Sequence, residues 1–204
     1  YFFFVISTNF HSQSFVMSPF HSNFTAQKRI SSMEDFVHLH VHTNYSILDG
    51  QSKVTRLVDK AIADGMRGMA LTDHGSMMGV KDFYNYVQKK KGGASKDFKK
   101  AEAQLQELQA KAAEAGIEAS AVQLEDGKTL AEAIAETEKA MAKAKRVMDF
   151  KPIIGCEMYC ARRTKFDKTL KEDRSGWHLV VLAKNETGYH NLVKLVSRAW
   201  VDGF

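Results

Sequence analysis

The stretch Phe36-Val37-His38-Leu39-His40-Val41-His42 sets three imidazoles at every second position. An extended chain turns alternate side chains to opposite faces. His38, His40 and His42 are therefore predicted on one side of a strand, with Val37, Leu39 and Val41 on the other. The apolar row can pack on helices. The polar row is harder to place, because three inward imidazoles forgo apolar burial and need partners, either hydrogen-bonding groups or a shared metal ion. Imidazoles at this spacing can grip a metal.

Three further short apolar runs read as strands, and each carries a group of the same chemistry. Gly68 to Thr72 stops at Asp73-His74-Gly75, Lys151 to Tyr159 holds Glu157 within it, and His178 to Ala183 opens on a histidine. A carboxylate inside a strand needs a cation, a metal or several donors. Between the runs lie helical periodicities. Ser52 is placed to cap a helix bearing Val54, Leu57, Val58, Ala61 and Ile62, with Gly65 at its exit. Ser76 precedes a second helix bearing Val80, Phe83, Tyr84 and Val87, and Asn185 caps a third bearing Tyr189, Leu192, Val193 and Val196. Strand, helix, strand, helix is the pattern of a parallel sheet or barrel whose loops build the site.

Several strings together resemble a known family. His38-Leu39-His40-Val41-His42-Thr43, Tyr45-Ser46-Ile47-Leu48-Asp49-Gly50 and Thr72-Asp73-His74-Gly75 are similar to the first motifs of the polymerase and histidinol phosphatase (PHP) domain. Lys151-Pro152-Ile153-Ile154-Gly155-Cys156-Glu157, His178 to Ala183 and Glu186-Thr187-Gly188-Tyr189 resemble the version at the N-terminus of the bacterial DNA polymerase III alpha subunit. The resemblance implies a distorted TIM-like (β/α)7 barrel, incomplete over residues 33–204. It also implies a site in which His40, His42, Asp49, His74, Glu157 and His178 ligate two or three divalent transition-metal ions, zinc or manganese or iron. His38 is expected to be structural. The implied chemistry is phosphoester hydrolysis, a 3′–5′ exonuclease role in a DNA-directed DNA polymerase. Two alternatives stay open: a free-standing phosphoesterase of the histidinol phosphatase type, and a non-catalytic docking module of the polymerase. Implied partners are the rest of the alpha subunit, DNA, and replisome proteins such as an exonuclease subunit and a clamp, in the cytoplasm.

Two stretches depart from the resemblance. Residues 1–32 carry seven of the 13 phenylalanines and no acidic residue, and read as an extension outside the family domain. No basic segment precedes an apolar core there, so a secretory signal is not expected. Residues 89–148 repeat apolar positions at alternating three and four spacing: Phe98, Ala101, Leu105, Leu108, Ala112 and Ala115, then Leu130, Ile134, Thr137, Met141, Ala144 and Met148. Joined through Gly116 and Asp126-Gly127, they predict an inserted antiparallel helical hairpin, read as a solvated spacer.

The family's late ligands, a further Cys or His and an Asp-x-His pair, have no counterpart after His178. The polymerase's own catalytic aspartates are also missing, so the chain reads as a truncated product, inactive alone. With four strands it is expected to leave its last strand with an open edge. The formal charge of +5 divides into +2 from residues 1–32, +2 from residues 88–148 and +1 elsewhere, so the pI near 9.1 is no nucleic-acid footprint of the core. Arg162, Arg163, Lys165, Lys168, Lys171 and Arg174 crowd one loop, diluted by Asp167, Glu172 and Asp173. Cys156 and Cys160 are too few for a disulfide scaffold and are predicted to be packing residues opposite Glu157. No apolar run reaches the length of a membrane span.

Overall fold

The computed structural model describes residues 2–6, 36–115, 122–124 and 127–203. The elements in chain order are β1 (Phe2–Ile6), α1 (Val54–Ala63), β2 (Gly68–Leu71), α2 (Val80–Ala115), α3 (Leu130–Asp149), β3 (Lys151–Cys160), β4 (Trp177–Ala183) and α4 (Glu186–Asp202). The chain divides into two compact units, one of residues 1–84 with 151–204 and the other of residues 85–150.

The first unit is built on a sheet of order β1-β4-β3-β2. It is mixed, whereas the strand and helix alternation predicts a parallel one. β2 runs parallel to β3 and β1 parallel to β4, but β3 and β4 are antiparallel. The cause is local: residues 161–176 hold one 3-10 turn, Lys171–Arg174, and no crossover helix, and without a crossover a chain re-enters a sheet running the other way. β3 changes partner midway. Lys151 to Ile154 pair with β2, and Gly155 to Cys160 pair with β4. At the changeover a Cβ on Gly155 would lie 2.6 Å from the Val181 carbonyl oxygen, which leaves room only for glycine.

The sheet's two faces separate packing from chemistry. Cys156 and Val181 point to α4, where they pack with Leu192 and Val196, while Glu157 and His178 turn to the opposite face. On that face Ala70, Val180 and Leu182 form a second apolar cluster. Truncating the fully buried Leu192 to alanine removes about 2–5 kcal/mol. α4 starts where expected, with the Asn185 side chain accepting from the Gly188 N–H at 2.9 Å. Its buried stripe runs through Gly188, Asn191, Leu192 and Val196, with Val193 exposed rather than in the stripe.

α1 departs from the expected start. Lys53, not Ser52, occupies the cap position, and no side chain caps it. Its end is well made: Gly65 takes φ +79°, its N–H reaches the Ile62 carbonyl at 3.1 Å, and the Met66 N–H reaches that of Ala61 at 3.0 Å. This pair of bonds is the Schellman closure that glycine favours.

The expected strand over Phe36 to His42 is an irregular extended segment beside β2. The Ala70 N–H donates to the His38 carbonyl at 2.8 Å and the Thr72 N–H to that of Val41 at 3.0 Å. Three steps of one chain thus face two of the other, so an extra residue breaks the alternation between His38 and Val41. His38 and Leu39 are consequently exposed, and His38 stays outside the site.

α2 runs unbroken for 36 residues, through Gly92 and Gly93, so the helix expected after Ser76 and the first seam of the expected hairpin are one element. Burial falls at sevenfold spacing, on Ala94, Ala101 and Leu108 of α2 and on Leu130, Thr137 and Ala144 of α3. α3 opens on a capping box in which the Thr129 side chain accepts from the Glu132 N–H and Glu132 accepts from the Thr129 N–H. Gly127, at φ +81°, makes the turn before it. Gly116 and Asp126, expected in the connection, lie outside the described residues, as do residues 1 and 7–32 of the expected extension.

Candidate metal centre

The site gathers where the end of β2, the middle of β3 and the start of β4 meet. Glu157 is the hub, its side chain 3% exposed. One oxygen, Oε2, lies 2.7 Å from His42 Nε2, 3.1 Å from His40 Nε2 and 3.3 Å from His74 Nδ1. The other, Oε1, lies 2.7 Å from His178 Nδ1. Asp49 closes the far side, its Oδ2 at 3.0 Å from His42 Nδ1 and 3.4 Å from His74 Nδ1. All six sequence-predicted ligands therefore converge.

The carboxylates are held in the charged form. Burial pushes the Glu157 carboxyl up, but hydrogen bonds to His40 and His178 and the charges of His40 and His74 outweigh it and leave it below its ordinary value. Asp49 follows the same pattern, with its slight burial opposed by His42 and His74. Anionic oxygens packed against imidazoles suit a cation.

Two observations show that the donor set fits a metal ion. His74 Nδ1 is buried and makes no hydrogen bond, although burying an unpaired polar atom costs about 1–3 kcal/mol. His40 Nε2 and His42 Nε2 stand 2.9 Å apart, a separation that sets lone pair against lone pair unless a proton or a cation lies between them. One ligand atom each from His42, Asp49, His74 and Glu157 lie within 4.8 Å of one another. Donors about 2.0–2.2 Å from one ion are at most roughly 4.4 Å apart, so only a small contraction separates this arrangement from a coordination shell. Mixed imidazole and carboxylate donors are those of zinc, manganese and iron sites.

A second layer, which sequence reasoning passed over, fixes the loops that carry the ligands. Asp73 is fully buried and accepts from the Thr43 N–H at 2.6 Å, the Thr43 hydroxyl at 2.9 Å and the Ser46 hydroxyl at 3.2 Å. The Ser46 oxygen in turn accepts from the His74 N–H at 2.8 Å. The ligand loops after His42 and after β2 are thus tied to each other through one carboxylate. The sequence signal was available: a strand that ends in an acid calls for donors, and Thr43 and Ser46 are the hydroxyls following the histidine run.

The His74-Gly75 peptide is pinned on three sides. Besides Ser46, the Gly75 N–H donates to the Glu157 carbonyl at 2.7 Å, and the Trp200 indole N–H, from the last turn of α4, donates to the Gly75 carbonyl at 2.8 Å. Gly75 sits at φ +61°, which glycine adopts without strain. Tyr159 forms the rim, its ring centroid 4.7 Å from those of both His74 and His178.

Of the expected packing cysteines, Cys156 is buried and its thiol, pushed up to about 12 by burial, donates to the Asp73 carbonyl at 3.4 Å. Such a thiol stays protonated and packs. Cys160, the last residue of β3, is exposed and does not pack.

A fold in which two histidines of one segment, a strand-end histidine and a mid-strand glutamate meet at one point defines a metal-site α/β domain. The model of the PHP domain matches residues 38–99 and 95–204, and the chain belongs to that family. It is similar to the DNA polymerase III subunit alpha of Treponema pallidum (strain Nichols), 35% identical over 169 residues that cover 82% of this chain and 10% of that protein. The same subunit of Borreliella burgdorferi is 34% identical over 172 residues, 83% of this chain and 10% of the relative, and that of Chlamydia pneumoniae is 31% identical over 170 residues, 83% and 9%. The chain thus spans about a tenth of the length of these relatives. Among the described residues no helix is long and apolar enough to cross a membrane.

Proposed function

We propose that this chain is the N-terminal PHP region of a replicative DNA polymerase III alpha subunit and that its site performs metal-dependent phosphoester hydrolysis of the 3′–5′ exonuclease type. The observation that carries the reading is the convergence of His42, Asp49, His74 and Glu157 around a buried imidazole nitrogen without a hydrogen bond. In this reading His40, His42, Asp49, His74, Glu157 and His178 hold two or more divalent transition-metal ions, zinc, manganese or iron. Such ions supply Lewis acidity toward phosphate oxygens and lower the pKa of water.

The chain's own residues supply the rest. Glu157, placed between four imidazoles, would hold the ions at the centre of the site, and Asp49 and His178 are its two most open members. Nucleotide addition belongs to the parent polymerase, whose remaining domains, DNA and replisome proteins are the proposed partners, in the cytoplasm. The segment 36–42 with β2, β3 and β4 forms part of a distorted (β/α)7 barrel, residues 1–32 an extension, and residues 89–148 an inserted helical hairpin.

Elemental analysis of the 204-residue chain purified without chelator tests the site. Two or more equivalents of transition metal are expected, falling to background when His40 and His42 are both changed to Ala. A wild-type chain that folds and carries none overturns the assignment.

A further inference from the structure

The loop between β3 and β4 starts and ends beside the metal centre, next to Tyr159 and His178. Its 16 residues, 161–176, carry six cations and three acids, a net +3. The structure sorts those cations into two groups. Arg163 binds both carboxylate oxygens of Asp173, whose carboxyl is thereby held down to about 2. Arg162 donates to the Ser175 carbonyl at 2.9 Å and lies 4.4 Å over the Trp177 ring, and Lys165 pairs with Asp202 at 2.8 Å. These three hold the loop in one shape. Lys168, Lys171 and Arg174 are exposed and have no ion-pair partner among the described residues.

A loop closed by its own ion pairs has already lost the entropy that a flexible basic segment loses on binding. It also displays aromatic surface of a kind that a merely solvated loop avoids: Phe166 is 77% exposed and Trp177 58%. Cations interleaved with exposed rings are the combination that grips a single nucleic-acid strand, with phosphates on the cations and bases stacked on the rings. A duplex backbone or an acidic peptide would need the charge but not the rings.

We propose that residues 161–176, with Trp177 at their exit, form a binding arm for single-stranded nucleic acid, with Lys168, Lys171 and Arg174 as phosphate contacts and Phe166 and the part of the Trp177 ring that Arg162 leaves exposed as stacking surfaces. The arm leads a strand toward the metal centre. The inference rests on the phosphoester reading for its purpose but not for its test, which reads binding without turnover.

The test is fluorescence anisotropy of a labelled 12-nucleotide oligothymidylate titrated with the 204-residue chain at several salt concentrations. Reversing the three cations to Glu should weaken binding at least about tenfold at low salt, and removing three contacts should flatten the log–log salt dependence by about 2. Reversing Lys99, Lys100 and Lys139, exposed residues of the second unit, makes the same change in net charge and should leave the affinity within about twofold. Phe166→Ala should weaken binding without changing the salt slope. Equal loss in the two charge-reversed variants, or an affinity unchanged by the arm variants, overturns the proposal. So does displacement of the oligonucleotide by polyglutamate of equal charge.

Discussion

Asp73 illustrates how much of the site rests on a side chain that bonds to none of the candidate ligand side chains. Its carboxylate takes three hydrogen bonds from Thr43 and Ser46 with no solvent contact, so its removal strands three buried donors at once. Asp73→Asn keeps the shape but supplies one acceptor oxygen where two are used and adds an N–H facing donors. Hydrogen bonds to charged groups contribute about 1.5–3 kcal/mol, and a loss of that order is expected in urea unfolding, together with reduced metal content as the His74 loop loosens. A variant with the wild-type midpoint and full metal would mean that Asp73 holds neither loop. Single side chains of this kind are weakly legible in sequence, because an acid beside a histidine reads equally well as a ligand.

At the scale of elements, the candidate ligands come from short segments whose ends are fastened to one another. No candidate ligand falls within residues 91–146. Replacing Lys91 to Arg146 by a short Gly-Ser linker should therefore preserve metal stoichiometry and the circular-dichroism signature of the remaining sheet and helices, since loop closure depends only weakly on length. Loss of bound metal in that variant would show that the helical pair supports the site. The heptad seams predicted from sequence coincide with burial at Ala101, Leu108, Leu130, Thr137 and Ala144, and α2 runs unbroken through Gly92 and Gly93, whose cost in a helix is only about 1 kcal/mol each.

For the whole molecule the consequential finding is an edge. β4 was expected to end the sheet open, yet β1 pairs with it in parallel register from Phe2 against Leu179 to Ile6 against Ala183. The family match begins only at residue 38, so the strand that covers this edge comes from outside the matched region. Deleting residues 1–32 should uncover the backbone groups of β4 and promote self-association, seen as concentration-dependent early elution in size-exclusion chromatography and a lowered melting temperature. A shortened chain that remains monomeric with an unchanged melting temperature would show that the pairing contributes nothing.

Sequence alone determined what is local or periodic. The candidate ligands came from the motif strings that resemble the PHP family, and α4 from Asn185 and the apolar stripe that mark it within a few residues. Tertiary structure decided whatever depends on pairing between distant segments. The extra residue opposite β2 that expels His38, the antiparallel return of β4, the exchange of partners at Gly155 and the indole of Trp200 on Gly75 are all contacts across tens of residues. Periodicity reports which face a side chain takes, but the partner that face meets depends on register and direction, which only the folded chain sets.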